Sequence, residues 1–188
     1  MILVRHGRTA LNASGLLQGQ VEEPLDEVGR AQAARVAAAL PMAGRLVASP
    51  LRRTVETAEA IAPDIEVDER FIELDYGEFE GRPVADIPLS TWTEWRRDPE
   101  FAPPGGESLR QLAERVVPAL VELSGAAMHE DIIVVTHVSP IKAAVVWALG
   151  VDEEVAWRCQ LSPASITRIG RRGETPLLVS FNEVGHLD

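Results

Sequence analysis

The sequence predicts an α/β fold, a three-layer α/β/α sandwich around a mostly parallel central sheet. Three features carry that expectation. Short apolar runs, ILV at 2–4, RLVA at 45–48 and IIVV at 132–135, have no polar face, as strands covered on both sides require. Longer segments bounded by helix start and stop signals separate these runs. A hairpin pattern occurs only at the end, in SITRIG and LLVSFN around RRGETP, and adds an antiparallel edge.

The elements follow in order. ILV opens the chain as a buried strand. In DEVGRAQAARVAAAL (26–40), Asp26 is placed to cap a helix that Pro41 stops. After the strand RLVA, SPLRRTVETAEAIAP (49–63) reads as a helix with Ser49 at its N-cap, Pro50 in its first position and Pro63 past its end. IEV (65–67) is a further strand. Residues 68–107 are rich in Pro, Gly, Glu and Trp, with helical character only around TWTEWRRD. So long an irregular stretch in a compact domain is expected to form a lid or a substrate wall. Ser108 and Gln111 make a capping box that opens a helix over 109–128, and Pro118 inside it predicts a kink or two helices. DIIVVTH is a buried strand, and SPIKAAVVWALG a helix closed by Gly150. Residues 1–188 are read as one domain.

Composition narrows the function. Of 188 residues, 46% are hydrophobic and 25% charged, an ordinary globular balance. The net charge of −11 argues against binding nucleic acid or an anionic membrane, since both need a basic face. Cys159 is the single cysteine, so no internal disulfide forms and a reducing cytoplasm is expected. The N-terminus shows no basic and apolar leader pattern, and AAVVWALGV (143–151) is too short for a membrane span.

In an open α/β sheet, ligands bind beyond the carboxyl ends of the strands. His6, Ser49-Pro50 and His137 each follow a predicted strand, so parallel strands would bring them to one edge. Arg5 and Arg53 come with them, and arginine's fork of donors suits phosphate or carboxylate oxygens. Helix N-termini near 49–50 and 139–140 are expected to add N–H donors. A positive pocket on so acidic a chain points to an anionic ligand. Neighbouring positive charge keeps imidazole neutral, and neutral imidazole is a competent nucleophile. The pattern therefore suits phosphoryl transfer better than metal binding; no HExxH or CxxC occurs, and His129-Glu130 and His186 have no ligand spacing. A leaving alkoxide also needs a proton donor. FIELDYGEFEG offers Glu73, Asp75, Glu78 and Glu80, and spacing does not choose between them. In isolation His6 and His137 read as strand-end histidines, Arg53 as a surface arginine, Asn12 as a turn residue and Ser139 as an N-cap. Arg52 and Arg35 keep the surface reading, while Trp92, Trp95, Trp147 and Trp157 read as core or lid anchors. His129, His186 and Cys159 read as structural.

Taken in order, RHGRTALN, GLLQG, EEPLDEVGRAQA, SPLRRTVETA, ELDYGEFEG, VVTHVSPIKA and FNEVGHL resemble the histidine phosphatase superfamily, the phosphoglycerate mutase-like group, over nearly the whole chain. The resemblance implies a phosphoglycerate mutase-like sandwich. It makes His6 the nucleophile that becomes phosphohistidine, and it has Arg5, Arg53 and His137 hold the phosphoryl oxygens with Asn12 in support. Arg53 is selected over Arg52 by its place four residues after Ser49. Glu73 matches the general acid, and no metal or other cofactor is implied. Two departures bear on substrate recognition: Leu16 stands where the family often has arginine, and Val138-Ser139 replace a common Gly-Gly after the second histidine, which makes Val138 a candidate substrate contact. The chain resembles the family's compact phosphatases more than its longer mutases. The expectation is a metal-independent phosphomonoesterase acting on a small phosphorylated metabolite, as a monomer or homodimer. A phosphoglycerate mutase, an α-ribazole phosphatase and a non-catalytic phospho-ligand binder are the alternatives.

Overall fold

A computed structural model describes residues 1–188. Six strands form one sheet: β1 (Ile2–Arg5), β2 (Arg45–Ala48), β3 (Glu66–Val67), β4 (Ile132–Thr136), β5 (Ile166–Arg172) and β6 (Thr175–Glu183). Their order is β3-β2-β4-β1-β5-β6. β3, β2, β4 and β1 run parallel, whereas β5 is antiparallel to β1 and β6 to β5. The terminal hairpin thus supplies the antiparallel edge. The helices are α1 (Ala10–Ala13), α2 (Glu27–Ala39), α3 (Arg52–Glu59), α4 (Leu89–Arg97), α5 (Leu109–Ala126) and α6 (Val138–Leu149). None is long and apolar enough to cross a membrane.

Side-chain alternation along the strands makes the three layers. Leu3, Val47, Ile132 and Val134 face α5 and α6, where they meet Leu112, Val116, Leu120 and Ile141. Ile2, Val4, Leu46, Ala48, Ile133 and Val135 face the other way, onto Val36 of α2 and Ala58 of α3. Each Val, Leu or Ile side chain so removed from water contributes about 1.5–3 kcal/mol against the entropy of ordering the chain.

Parallel register sets the site. Val4 and Ala48 both pair with Val135, so β1, β2 and β4 end level with one another. The hydrogen bonding continues one residue further: His6 N–H donates to Thr136 O and Ser49 N–H to Val135 O, each at 3.0 Å. His6, Ser49 and His137 are therefore held on one edge by the sheet itself.

Several local expectations are met in detail. Asp26 Oδ1 accepts from Gly29 N at 2.7 Å to cap α2. Ser108 and Gln111 form the reciprocal box at the start of α5. Gly150 closes α6 in the left-handed region, at φ 62°. Others are corrected. α3 starts at Arg52 with Leu51, not Ser49, at its N-cap position and without a side-chain cap; the Ser49 hydroxyl meets His137 and, at 3.5 Å, the Leu51 N–H; α3 also ends at Glu59, short of Pro63. α6 takes His137 as its N-cap residue, which places Ser139 inside the first turn. Pro118 does not divide α5. Its ring lies on the exposed side, where water reaches the carbonyl it leaves unpaired, while Leu112, Val116, Leu120 and Leu123 anchor both halves in the core.

The 68–107 segment packs closely despite its irregular backbone. Trp95 of α4 is buried and lies parallel to Trp92, with ring centroids 5.4 Å apart, while Trp157 meets it edge-on at 5.6 Å. Phe79 and Phe101 complete this aromatic cluster.

Candidate active site

His6 stands past the end of β1, buried at 3% exposure. Its Nδ1 lies 2.7 Å from Gly7 O. A carbonyl only accepts, so Nδ1 carries the hydrogen and Nε2 keeps its lone pair. Burial, followed by the Arg53 and Arg5 charges, holds the imidazole well below its ordinary 6.5 in spite of the Gly7 carbonyl. The ring is thus neutral with Nε2 free, the form a nucleophile requires.

The backbone around His6 is pinned from both sides. Gly7 N–H donates to Thr57 Oγ1 at 3.1 Å, and Ala164 N–H to His6 O at 3.0 Å. Ala164 has φ 58°, a left-handed conformation that costs a non-glycine residue about 1–2 kcal/mol. Gly7 also passes so close to α2 that a Cβ there would lie 2.4 Å from Gly29 O. Only glycine fits beside the histidine.

His137 and Arg53 are both fully buried. Arg53 Nε approaches His137 Nδ1 at 3.3 Å, and His137 Nε2 lies 2.7 Å from Ser49 Oγ. Because a guanidinium only donates, Nδ1 accepts, and Nε2–H donates to the serine. Burial leads in lowering the His137 value too, followed by the charges of Arg53, His6, Arg5 and Arg115. The two imidazoles meet edge-on with centroids 5.2 Å apart. The other Arg53 nitrogens hold the Val21 and Gly19 carbonyls. Burial lowers the Arg53 value, opposed by Glu73, Glu80 and Glu22.

Arg5 donates from Nη1 to Leu161 O at 2.7 Å, while its Nε is buried without a partner. Burial pushes its value down to about 10, opposed by Glu73 and Tyr76 and reinforced by Arg53, so it stays cationic at neutral pH. A buried guanidinium with a free donor is unfinished without an anion.

Glu73, 3% exposed, is the one of the four carboxylates expected as proton donors that the fold brings to the histidines. Its Oε1 accepts from Leu74 N at 2.8 Å and Ser139 N at 3.1 Å, and its Oε2 from Val138 N at 3.0 Å. Glu80 is committed to Gly19 and Gln20 N–H groups, Asp75 to Gly77 N–H, and Glu78 is exposed. The expectation that both helix N-termini present free amides to an anion is corrected here. Glu73 takes those of Val138 and Ser139, and Glu22 takes that of Arg52 at 3.0 Å. An unpaired first turn in a folded chain finds the nearest carboxylate. Val138 accordingly turns its N–H to Glu73 and lines the neighbouring cavity.

Asn12 completes a capping box with Thr9 and donates from Nδ2 to Gln18 Oε1 at 3.0 Å, which leaves one amide hydrogen. Gln18 Oε1 also accepts from Thr9 Oγ1 at 2.7 Å, while its Nε2 is buried and unpartnered. Sequence reasoning missed three residues. Ser49 orients His137, Gln18 orients Asn12, and Arg115 holds Glu73 O at 3.2 Å while paired with Glu107. Gln18 lies within the GLLQG motif and Ser49 within SPLRR, so both had a signal; Arg115 had none.

Beside Glu73 opens a cavity of about 570 Å³ lined by Leu74, Tyr76, Trp92, Val138, Lys142 and Trp157 among others. Arg5, His6, Arg53 and His137 are not among its walls. Glu73 is not among them either, but the three residues from whose amides it accepts, Leu74, Val138 and Ser139, all line the cavity. No group of three or more His, Cys, Asp and Glu side chains is arranged to hold a metal ion.

A profile of the histidine phosphatase superfamily, branch 1, matches residues 1–184. The chain belongs to that superfamily. A metal-independent phosphoserine phosphatase of Arabidopsis thaliana is 33% identical, with the match covering all of this chain and 82% of that protein. A probable phosphoglycerate mutase of Proteus mirabilis is 35% identical over 89% of this chain and 82% of its own. The chain spans about half of some longer relatives: a bifunctional protein of Mycobacterium tuberculosis, 32% identical, is covered over 49% of its length. Among solved structures, phosphoserine phosphatase of Entamoeba histolytica in complex with 3-phosphoglyceric acid superposes with a TM-score of 0.91 at 27% identity, covering 99% of this chain and 98% of that one.

Two buried neutral histidines give this chain a pH signature. Both folded values lie below the ordinary 6.5. Above that pH neither state gains a proton; below it the unfolded chain takes up protons that the folded chain refuses. Stability is thus expected to fall as pH drops from 6.5, by up to about 1.4 kcal/mol per histidine per pH unit. Urea unfolding at pH 7.5, 6.5 and 5.5 measures this, and His137→Asn should flatten the slope. A midpoint that rises toward pH 5.5 would contradict two buried neutral rings.

Proposed function

We propose that this chain is a phosphomonoesterase that works through a phosphohistidine on His6. The observation that carries the reading is the orientation of that ring: Nδ1 is tied to Gly7 O, Nε2 is left free, and burial with the charges of Arg53 and Arg5 keeps the imidazole neutral. Relatives named as phosphoserine phosphatases support it.

The substrate phosphate is held by Arg5 Nε and by the Arg53 guanidinium, with His137 and the remaining Asn12 hydrogen as further donors. In the first half-reaction His6 Nε2 attacks phosphorus in line. A P–N bond forms as the bond to the alcohol oxygen breaks, and the oxygen leaves with the electron pair. Glu73, in its protonated form, gives its proton to that oxygen. Its place on the Val138 and Ser139 amides, next to His137 and against the cavity wall, suits this role, because the acid must reach the oxygen that leaves opposite the attacking nitrogen. In the second half-reaction the Glu73 carboxylate takes a proton from water, the hydroxide attacks phosphorus, and the P–N bond breaks to release phosphate and neutral His6. His137 becomes a second donor when the incoming dianion draws Arg53 Nε away from Nδ1 and raises the affinity of that nitrogen for a proton. A single half-buried cysteine and a net charge of −11 fit a cytoplasmic enzyme.

The test is hydrolysis of p-nitrophenyl phosphate in excess chelator, with the phosphorylated enzyme trapped at alkaline pH and mapped by mass spectrometry. Turnover with label on His6 is expected; turnover with label elsewhere, or none, overturns the reading. The relative named as a probable phosphoglycerate mutase favours a second reading, in which the phosphoryl group returns to a phosphoglycerate. Isomerisation primed by 2,3-bisphosphoglycerate and faster than hydrolysis would select it.

A further inference from the structure

The cavity beside Glu73 is built for something other than phosphate. Sixteen of its 23 lining residues are hydrophobic. Trp92 and Trp157 contribute from different parts of the chain, with their rings 6.0 Å apart and nearly perpendicular. A space of this size holds a ring-sized group, and its aromatic walls favour a flat one.

One wall carries a cation. Val138, Lys142 and Val146 recur at every fourth residue of α6 and line the cavity together. Lys142 forms neither a hydrogen bond nor a salt bridge; its Nζ lies 5.9 Å from the centre of the Trp157 ring. Arg110, the lining residue from α5, is neutralised by Glu153 at 2.9 Å and Glu100 at 3.3 Å. Burial lowers the Lys142 value, offset by Cys159 and Glu73 and reinforced by Arg5. A half-buried ammonium on a largely apolar wall, given no carboxylate by a chain with 29 acidic residues, is poised to take an anion.

The spacing defines such a ligand. Glu73 binds the first turn of α6 through Val138 and Ser139, and Lys142 is one turn further along. Four residues of helix rise about 6 Å. An anionic group about that far from the bridging oxygen, across a flat ring, would reach Lys142 while the phosphate rests on His6.

We infer that the cavity takes the alcohol part of the substrate, and that Lys142 makes the enzyme selective for phosphomonoesters of a planar, apolar alcohol carrying a carboxylate or similar anion on its far side. The inference rests on the phosphatase reading, and its test separates the two. The kcat/KM ratio of 4-carboxybenzyl phosphate to benzyl phosphate is measured for wild type and Lys142→Met, whose unbranched apolar side chain keeps the wall filled. The wild-type ratio is expected to exceed about tenfold, the range of a charge-assisted contact in a dry site, and to fall toward unity in Lys142→Met. Lys142→Arg should restore part of it. A wild-type ratio near one, or equal loss on both esters in Lys142→Met, overturns the assignment. If neither ester is hydrolysed, calorimetric binding of the two matching phosphonates decides. A carboxylate preference that disappears in Lys142→Met upholds the cavity assignment while the phosphatase reading falls. Equal or absent binding ends both.

Discussion

His6→Ala is expected to abolish turnover, by at least about 10⁴-fold on any phosphomonoester. The size follows from how the other imidazole is held. His137 donates from Nε2 to Ser49 and receives Arg53 Nε at Nδ1, so it has no lone pair to offer phosphorus and cannot stand in. Removal of the His6 ring leaves Arg5 and Arg53 in place, and inorganic phosphate should still bind. The measurement is p-nitrophenyl phosphate hydrolysis from pH 5 to 8 with excess chelator, beside phosphate binding by calorimetry. Lost turnover with retained binding assigns the ring to bond-making. An active His6→Ala enzyme would remove the phosphohistidine from the mechanism altogether.

Glu73→Gln should show a loss that depends on the leaving group. An alkoxide departs poorly without a proton, so alkyl phosphates are expected to slow by about 10²–10⁴-fold. Nitrophenolate departs as an anion and should lose far less in the first half-reaction. The substitution also turns an amide NH₂ toward the Val138 and Ser139 N–H groups that the carboxylate now satisfies, at a cost of about 1 kcal/mol in stability. A purely structural role would slow both substrates alike, so the ratio between them is the informative quantity. Equal losses would move the proton to another group.

Local signals account for much of this architecture. Asp26, Ser108 with Gln111, and Gly150 were legible as helix boundaries because a cap is a contract between residues three or four apart. The uninterrupted apolar runs of β1, β2 and β4 marked a buried parallel sheet, and a histidine after two of those strands marked its functional edge. Pro118 misled for a reason of the same kind: its local cost is real, yet buried leucines on both sides of it outweigh one missing hydrogen bond.

What remained illegible involves partners far apart in sequence. Ser49 reads as a cap, and spacing leaves Glu73 one of four carboxylates, told apart only by the family resemblance. It takes the register of β2 against β4 to put the serine on His137, 88 residues away. The approach of residue 73 to the start of α6 likewise gives Glu73 the amides that an anion was expected to fill. Lys142 is an ordinary helical lysine until Trp92, Trp157 and α5 close around it. By itself, then, the sequence determined which backbone segments become strands and helices and which residue types stand at the strand ends, because those follow from short-range periodicity and capping. The tertiary structure alone decided which polar group faces which, because desolvation and hydrogen-bond pairing arise only when distant segments exclude water together.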